Sequence, residues 1–315
     1  MLRGHLWEQL SSVDLLNMSH VPSEMDLIMS GGGFLGYYLV GVDRVLRKLC
    51  REEKLRVERY AGTSVGALAS VAMVCGLGDH MIELYDQLQG TPDFFPKIRE
   101  YFMKMLPENA YQQCSGRVHI VISTLSWKYQ VLPRLEPMVV SHFRDNCDLV
   151  EACMASCSVP YFVSSQLFYP FRGKWCMDGF FTQNVPLLPP RPPRPQMVVR
   201  LHRVPYSWWT VFTPYEHMVL PLIVQGALET ELFFHRPYGG GHVGALEWYD
   251  EKPLKKRRAL FLFLQKLGLS RVLGVAALVV IVVGAGTFRA RGPGLFPLVR
   301  PYSSVREGIP SLVVE

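Results

Sequence analysis

Short apolar runs separated by glycine or polar turns recur along the first two thirds of this chain. Residues 25–30 read as a strand running into Gly31-Gly32-Gly33. Residues 34–50 follow as a helix, apolar then basic, with Val42, Val45, Leu46 and Leu49 near helical spacing. The pattern then predicts a strand over 55–61, an apolar helix over 65–76 and an amphipathic helix over 80–88. Residues 118–124 form a buried-strand pattern, 148–157 a helix that stops before Pro160, and 174–177 and 197–201 two further short strands. Strands that alternate with helices in this way predict an α/β fold: a mainly parallel sheet with helices on both faces. Residues 187–195 hold too many prolines for a helix or a central strand, so an extended loop is expected there, with a proline-recognition peptide as the alternative.

The last sixty residues differ in kind. Lys255-Lys256-Arg257-Arg258 precede an apolar stretch, a polar break, and then 17 residues without a charge over 272–288. As a helix that run would reach about 25 Å, slightly less than the ~30 Å hydrocarbon layer of a bilayer. Arg271 and Arg289 bracket it and can snorkel. A membrane-associated segment is expected, with a buried core element as the alternative. The heavier basic flank on its N-terminal side would leave the main body cytosolic.

Composition narrows the classes. The chain has 315 residues, 49% of them apolar and 19% charged, with a formal net charge of +6. That allows one substantial domain with an appendage, or two small domains. The basic excess favours anionic surfaces, but no nucleic-acid module surrounds it, so a membrane or lipid-droplet surface is the expected partner rather than nucleic acid. The seven cysteines, Cys50, Cys75, Cys114, Cys147, Cys153, Cys157 and Cys176, are scattered, and none forms a C-x-x-C pair. This spacing argues against zinc ribbons and redox motifs and suits a reducing compartment. Residues 1–24 show no signal-peptide core, so a non-secreted protein is expected.

The chemistry concentrates in three loops. Ser64 lies in a G-x-S-x-G with Gly62 and Gly66, between a predicted strand and a predicted helix. Glycines there let the backbone turn sharply and raise a nucleophilic hydroxyl above the sheet. Gly31, Gly32 and Gly33, also between strand and helix, can offer amides to an oxyanion. Gly31, Gly33 and Gly36 also spell a dinucleotide fingerprint, but Glu52 and Glu53 fall before the second strand, and that reading leaves Ser64 without a purpose. None of the nine histidines has a recognisable catalytic loop around it. Asp178, followed by Gly179 at a strand end, can accept the serine proton if burial raises its pKa. The plain alternative is a turn aspartate.

Taken together, these loops resemble the patatin-like phospholipase family. Gly31-Gly32-Gly33-Phe34-Leu35-Gly36 is similar to its glycine-rich oxyanion loop, and Gly62-Thr63-Ser64-Val65-Gly66 to its nucleophile elbow. Ala155-Ser156-Cys157-Ser158-Val159-Pro160-Tyr161-Phe162 resembles its A-S-x-x-x-P-x-x-F segment. Asp178-Gly179 with Asn184-Val185-Pro186 resembles its D-G-G/A…N-x-P block. Two departures stand out: Leu35 replaces a common basic residue, as in the adiponutrin-like subgroup, and Phe180 replaces a small one.

The resemblance implies a three-layer α/β/α hydrolase domain over 25–205 that cleaves acyl lipids. Its dyad would be Ser64 as nucleophile and Asp178 as base, with no metal or organic cofactor. Residues 1–24 would be an extension, 206–253 a completion of the domain or a linker, and 254–315 the basic apolar tail. The alternatives are acyl transfer by the same dyad, a lipid-surface protein without turnover and, more remotely, a dinucleotide-dependent oxidoreductase.

Overall fold

The structure is a computed structural model. It describes residues 18–88, 94–126, 134–160, 163–164, 166–188, 194–205, 216–237 and 241–249. The 254–315 tail with its 272–288 segment, Tyr161 and Phe162 of the A-S-x-x-x-P-x-x-F segment, and most of the proline-rich stretch lie outside the described residues.

Strand β1 (Glu24–Met29) leads through the three glycines and a 3-10 turn (Gly33–Gly36) into helix α1 (Tyr37–Arg51). Strand β2 (Arg56–Thr63) ends at Ser64, where α2 (Val65–Val74) begins, and α3 (His80–Leu88), α4 (Phe94–Met105) and α5 (Ala110–Cys114) follow. Strands β3 (Val118–Ser126) and β4 (Arg134–Val140) precede α6 (Asn146–Cys157), β5 (Tyr169–Phe171), β6 (Lys174–Asp178) and the single turn α7 (Phe180–Gln183). Strand β7 (Gln196–Val199), the long α8 (Glu216–His235), β8 (His242–Val243) and β9 (Leu246–Trp248) complete the described elements.

All nine described strands form one sheet. Its centre is parallel: β1 pairs with β2 and β7, and β2 with β3. Antiparallel strands complete it: β4 and β6 pair with β3, β5 with β6, β9 with β7 and β8 with β9. The central strands are apolar on both faces, as expected where helices cover a parallel sheet on each side. The covering is unequal. Met25, Leu27 and Met29 of β1 join the large core built with α1, α2, α6 and α8. Ile28, Ala61 and Val198, on the other face, pack with Leu188 in a small cluster that Val185 and Tyr249 flank.

Helix α1 lies along α8, and glycines let the two backbones touch. A Cβ on Gly41 would stand 2.0 Å from the Ile223 carbonyl oxygen, and one on Gly226 would stand 2.1 Å from that of Tyr38. Beside this crossing the Tyr38 hydroxyl donates to Glu229 at 2.6 Å. Residues 216–235 are thus built into the same body as the first helix, and β9 is built into the same sheet as β7.

An ion pair crosses the centre of the sheet. Asp26 on β1 stands in register with Arg59 on β2 and Gln196 on β7. The Arg59 guanidinium donates to both carboxylate oxygens, through Nε at 3.1 Å and through a terminal nitrogen. Gln196 Nε2 donates to Asp26 Oδ2 at 3.4 Å, and Arg194 approaches Oδ1 at 3.5 Å. Asp26 is fully buried and Arg59 nearly so. Removing one charge from such a pair leaves the other buried without it, which typically costs about 3–5 kcal/mol. Asp26→Ala should therefore lose roughly that much stability in urea unfolding, whereas Asp26→Leu combined with Arg59→Met should recover most of it.

Candidate active site

The serine turn is built from its neighbours' lack of side chains. Ser64 has φ 55° and ψ −126°, a conformation that residues with a Cβ avoid. Strain of this kind costs on the order of 1–3 kcal/mol and persists only where surrounding contacts fix it. Gly62 and Gly66 permit the turn: a Cβ on Gly62 would lie 2.1 Å from the Gly66 carbonyl oxygen, and one on Gly66 would lie 2.6 Å from that of Met29. The Ser64 carbonyl accepts the Ala67 N–H at 2.8 Å, which starts α2 immediately. The threonine before it is fixed too, its hydroxyl donating to the Gln183 carbonyl at 2.9 Å.

Strand register brings Asp178 to this turn. Strand β4 occupies one edge of β3 over Ile120–Ser126. On the opposite edge β2 pairs with Val118–Val121, and β6, running the other way, takes over at Ile122. Thr63 therefore stands beside Val121, and Asp178 beside Ile122. Two strand ends meet there, and the Ser64 hydroxyl comes close enough to the Asp178 carboxylate to pull its pKa down.

Asp178 is 1% exposed, whereas Ser64 is half-buried. Burial raises the Asp178 pKa from 3.8 to about 7, against the opposing pull of hydrogen bonds from Ser64 and from the Phe180 N–H. The Phe180 amide donates to Oδ1 at 2.8 Å. The residue's main chain is anchored as well, its N–H to the Ser158 carbonyl at 2.8 Å and its carbonyl to the Ser123 hydroxyl at 2.8 Å. The Phe180 ring is 57% exposed, so the bulky replacement points away from the buried carboxylate. Cys157 also contacts the pair. Burial first, then the nearby Asp178 charge, push its thiol well above the usual range, so it meets Ser64 and Asp178 as a neutral group.

The glycine loop adjoins the elbow. A Cβ on Gly31 would be 3.2 Å from that of Ser64 and 3.0 Å from the Asn184 side-chain oxygen. The Gly31 N–H is already engaged, donating to Asn184 Oδ1 at 3.0 Å and to the Asn184 carbonyl at 3.3 Å. The amides of Gly32 and Gly33 make no hydrogen bond among the described residues. Gly32 packs on Leu201, where a Cβ would come within 2.7 Å of the side chain, and Gly33 has φ 53°.

Ser156 was not singled out by its chemistry in the sequence, although it lies in a motif segment. It is fully buried. Its hydroxyl accepts the Ser64 N–H at 2.9 Å and donates to the Val121 carbonyl at 2.7 Å, while its carbonyl accepts the Gly179 N–H at 3.3 Å. One residue thus ties the elbow, β3 and the Asp-Gly turn together. Asn184 does the same for the glycine loop. In both cases the signal was position within a recognisable block, not residue type.

A serine raised on a strained strand-to-helix turn, beside a buried carboxylate and a glycine loop on a mainly parallel sheet, defines a class of α/β proteins. The family model for patatin-like phospholipase matches residues 27–190, a span that contains all of these elements. The chain belongs to the patatin-like phospholipase family. It is 31% identical over 172 residues to the omega-hydroxyceramide transacylase of Mus musculus, covering 50% of this chain and 27% of that protein. It is 35% identical over 176 residues to the Mus musculus 1-acylglycerol-3-phosphate O-acyltransferase Pnpla3, covering 51% and 40%. With patatin-like phospholipase domain-containing protein 2 of Homo sapiens it shares 28% over 176 residues, covering 51% and 33%. The matched stretch thus spans well under half the length of these relatives.

Ser156→Ala would leave the buried Ser64 N–H unpaired, a loss of about 1–3 kcal/mol. The expected result is a folded protein with a lowered denaturation midpoint and a larger fall in kcat than change in KM. Ser156→Thr, which keeps the hydroxyl, should restore part of both.

Proposed function

We propose that the protein transfers the acyl group of an ester lipid to water, through Ser64 and Asp178. The observation that carries this reading is the register that sets a half-buried serine, on a strained turn, beside a buried carboxylate whose pKa is raised to about 7. In the first half-reaction the Ser64 oxygen attacks the ester carbonyl while Asp178 takes its proton, and that proton then passes to the leaving alcohol. In the second, Asp178 takes a proton from water, which displaces the fatty acid from Ser64. The amides of Gly32 and Gly33 are the donors best suited to the oxyanion, because that of Gly31 is held by Asn184. In this role Gly31 lets the loop approach Ser64. The scheme requires no cofactor.

The substrate class is an acyl ester of a phospholipid or neutral glycerolipid, in keeping with the family. The basic and apolar 254–315 region would hold the site at the cytoplasmic face of a membrane or at a lipid droplet. Among the described residues no helix is long and apolar enough to cross a membrane. A second reading, transfer to an acceptor hydroxyl instead of water, draws on the relatives named transacylase and acyltransferase. Adding a lipid alcohol to the assay and measuring how the acyl group divides between it and water separates the two.

Labelling by a fluorophosphonate tests the nucleophile. Wild-type protein should label, and Ser64→Ala should lose both labelling and ester turnover; full turnover by Ser64→Ala would overturn the assignment. For the base, kcat/KM should fall about tenfold per pH unit below an apparent pKa of about 7, as Asp178 becomes protonated. Asp178→Asn should abolish turnover yet stabilise the fold. The folded-state pKa is raised, so ionised Asp178 opposes folding, and the gain should grow from about pH 4 to 7 and reach on the order of 2–4 kcal/mol above it.

A further inference from the structure

Three of the scattered cysteines converge behind the site. Cys75 caps the C-terminal end of α2, the helix that Ser64 begins, and Cys114 is the last residue of α5. Their sulfurs lie 3.9 Å apart, although 39 positions separate them in the chain. Cys153 on α6 is near enough for its charge to act on Cys114 and to be acted on by Cys75. Among the described residues no group of three or more such side chains is arranged to hold a metal ion. The three differ in access: Cys75 is partly exposed, whereas Cys114 and Cys153 are buried.

We propose that Cys75 and Cys114 form a reversible oxidation site for hydroperoxides, with Cys75 the attacking sulfur and Cys114 the resolving one. The geometry supplies what such a site needs. Sulfurs in contact need only rotate and close by about 2 Å to reach bonding distance. The outer one can be reached by a small peroxide, and the inner one is shielded, so a thiol is held ready beside any product formed on Cys75. The Cys75 pKa is lowered, chiefly by the hydrogen bond from the Cys114 thiol and further by Arg117, which supplies the thiolate that attacks.

The chemistry balances in two steps. The Cys75 thiolate attacks one peroxide oxygen, the O–O bond breaks, and the departing oxygen takes up a proton to leave as water or, from a lipid hydroperoxide, as an alcohol. Cys75 is then a sulfenic acid. The Cys114 sulfur attacks the Cys75 sulfur, the S–O bond breaks, and the hydroxide leaves as water with the Cys114 proton. Two thiols are oxidised, one peroxide is reduced, and a disulfide remains that a dithiol reductant reverses.

The test uses the full chain carrying Cys50→Ser and Cys147→Ser, which removes the two exposed thiols. After treatment with hydrogen peroxide, remaining thiols are alkylated in denaturant and the unreduced protein is mapped by mass spectrometry. The expected outcome is the loss of two thiols per chain, a single Cys75–Cys114 cross-linked peptide, and recovery of both thiols with dithiothreitol. Adding Cys75→Ser should abolish the cross-link. With Cys114→Ala in its place, Cys75 should stop at a sulfenic acid that dimedone traps. A bridge to Cys153, sulfinic acid on Cys75 without a bridge, or full retention of all five thiols would each overturn the proposal. None of these readouts depends on Ser64, so failure here and failure of the acyl-transfer reading are separate results.

Discussion

On one edge of β3, two strands arrive from opposite directions and stop at adjacent residues. Strand β2 ends beside Val121 and β6 ends beside Ile122. Nothing in either strand alone brings Ser64 to Asp178; their distance is set by where each stops along a third. A slip of one residue in the β6 register would turn Asp178 to the other face of the sheet, away from the serine. The hydrogen bonds around the meeting point act against such a slip. Ser156, Ser158 and Ser123 hold Asp178, Gly179 and the elbow from α6 and β3. The site therefore rests on alignment first and on side-chain chemistry second.

The same region concentrates unfavourable energy. It combines a positive φ at a serine, a carboxylate in full burial, and backbones so close that the glycines admit no side chain. Each is a local cost, tolerated because hydrogen bonds through Ser123, Ser156 and the Phe180 N–H fix the backbone and carboxylate around it. The Asp26–Arg59 pair, one strand away, shows the other solution available to a buried charge: a matched partner. Asp178 has only hydrogen-bond donors, and its burial holds its pKa near neutrality.

Much of this was legible in the residues. The strands and helices from residue 24 to 88 follow the predicted pattern closely, because their apolar periods are strong and glycines mark their ends. The 34–50 helix begins instead as a 3-10 turn, which the glycine-rich entry explains. Elements that escaped the reading share weak local signals. Strand β4 carries Pro137 and is largely open to solvent, α4 has a proline near its start, and α8 contains Pro221 and is apolar on most sides. Strands β5, β8 and β9 have only two or three residues each. Within the site, the residue types could be read but their contacts could not. That Asn184 takes the Gly31 amide, or that Phe180 turns outward, follows from the tertiary arrangement alone. The proximity of Cys75 to Cys114 likewise leaves no trace in their spacing.

The glycine contact between α1 and α8 has a consequence for how the chain comes to be folded at all. Gly41 meets Ile223 and Gly226 meets Tyr38 across helices encoded far apart, and β7, which seals the free edge of β1, also comes late. At roughly 5–20 residues per second of synthesis, about 10–40 s pass between the appearance of one glycine and of the other. Throughout that interval the nascent chain carries an amphipathic helix without its mate and a central strand with one side open. The earliest segments of this domain thus complete their packing only by long-range closure, the step that topology makes slow.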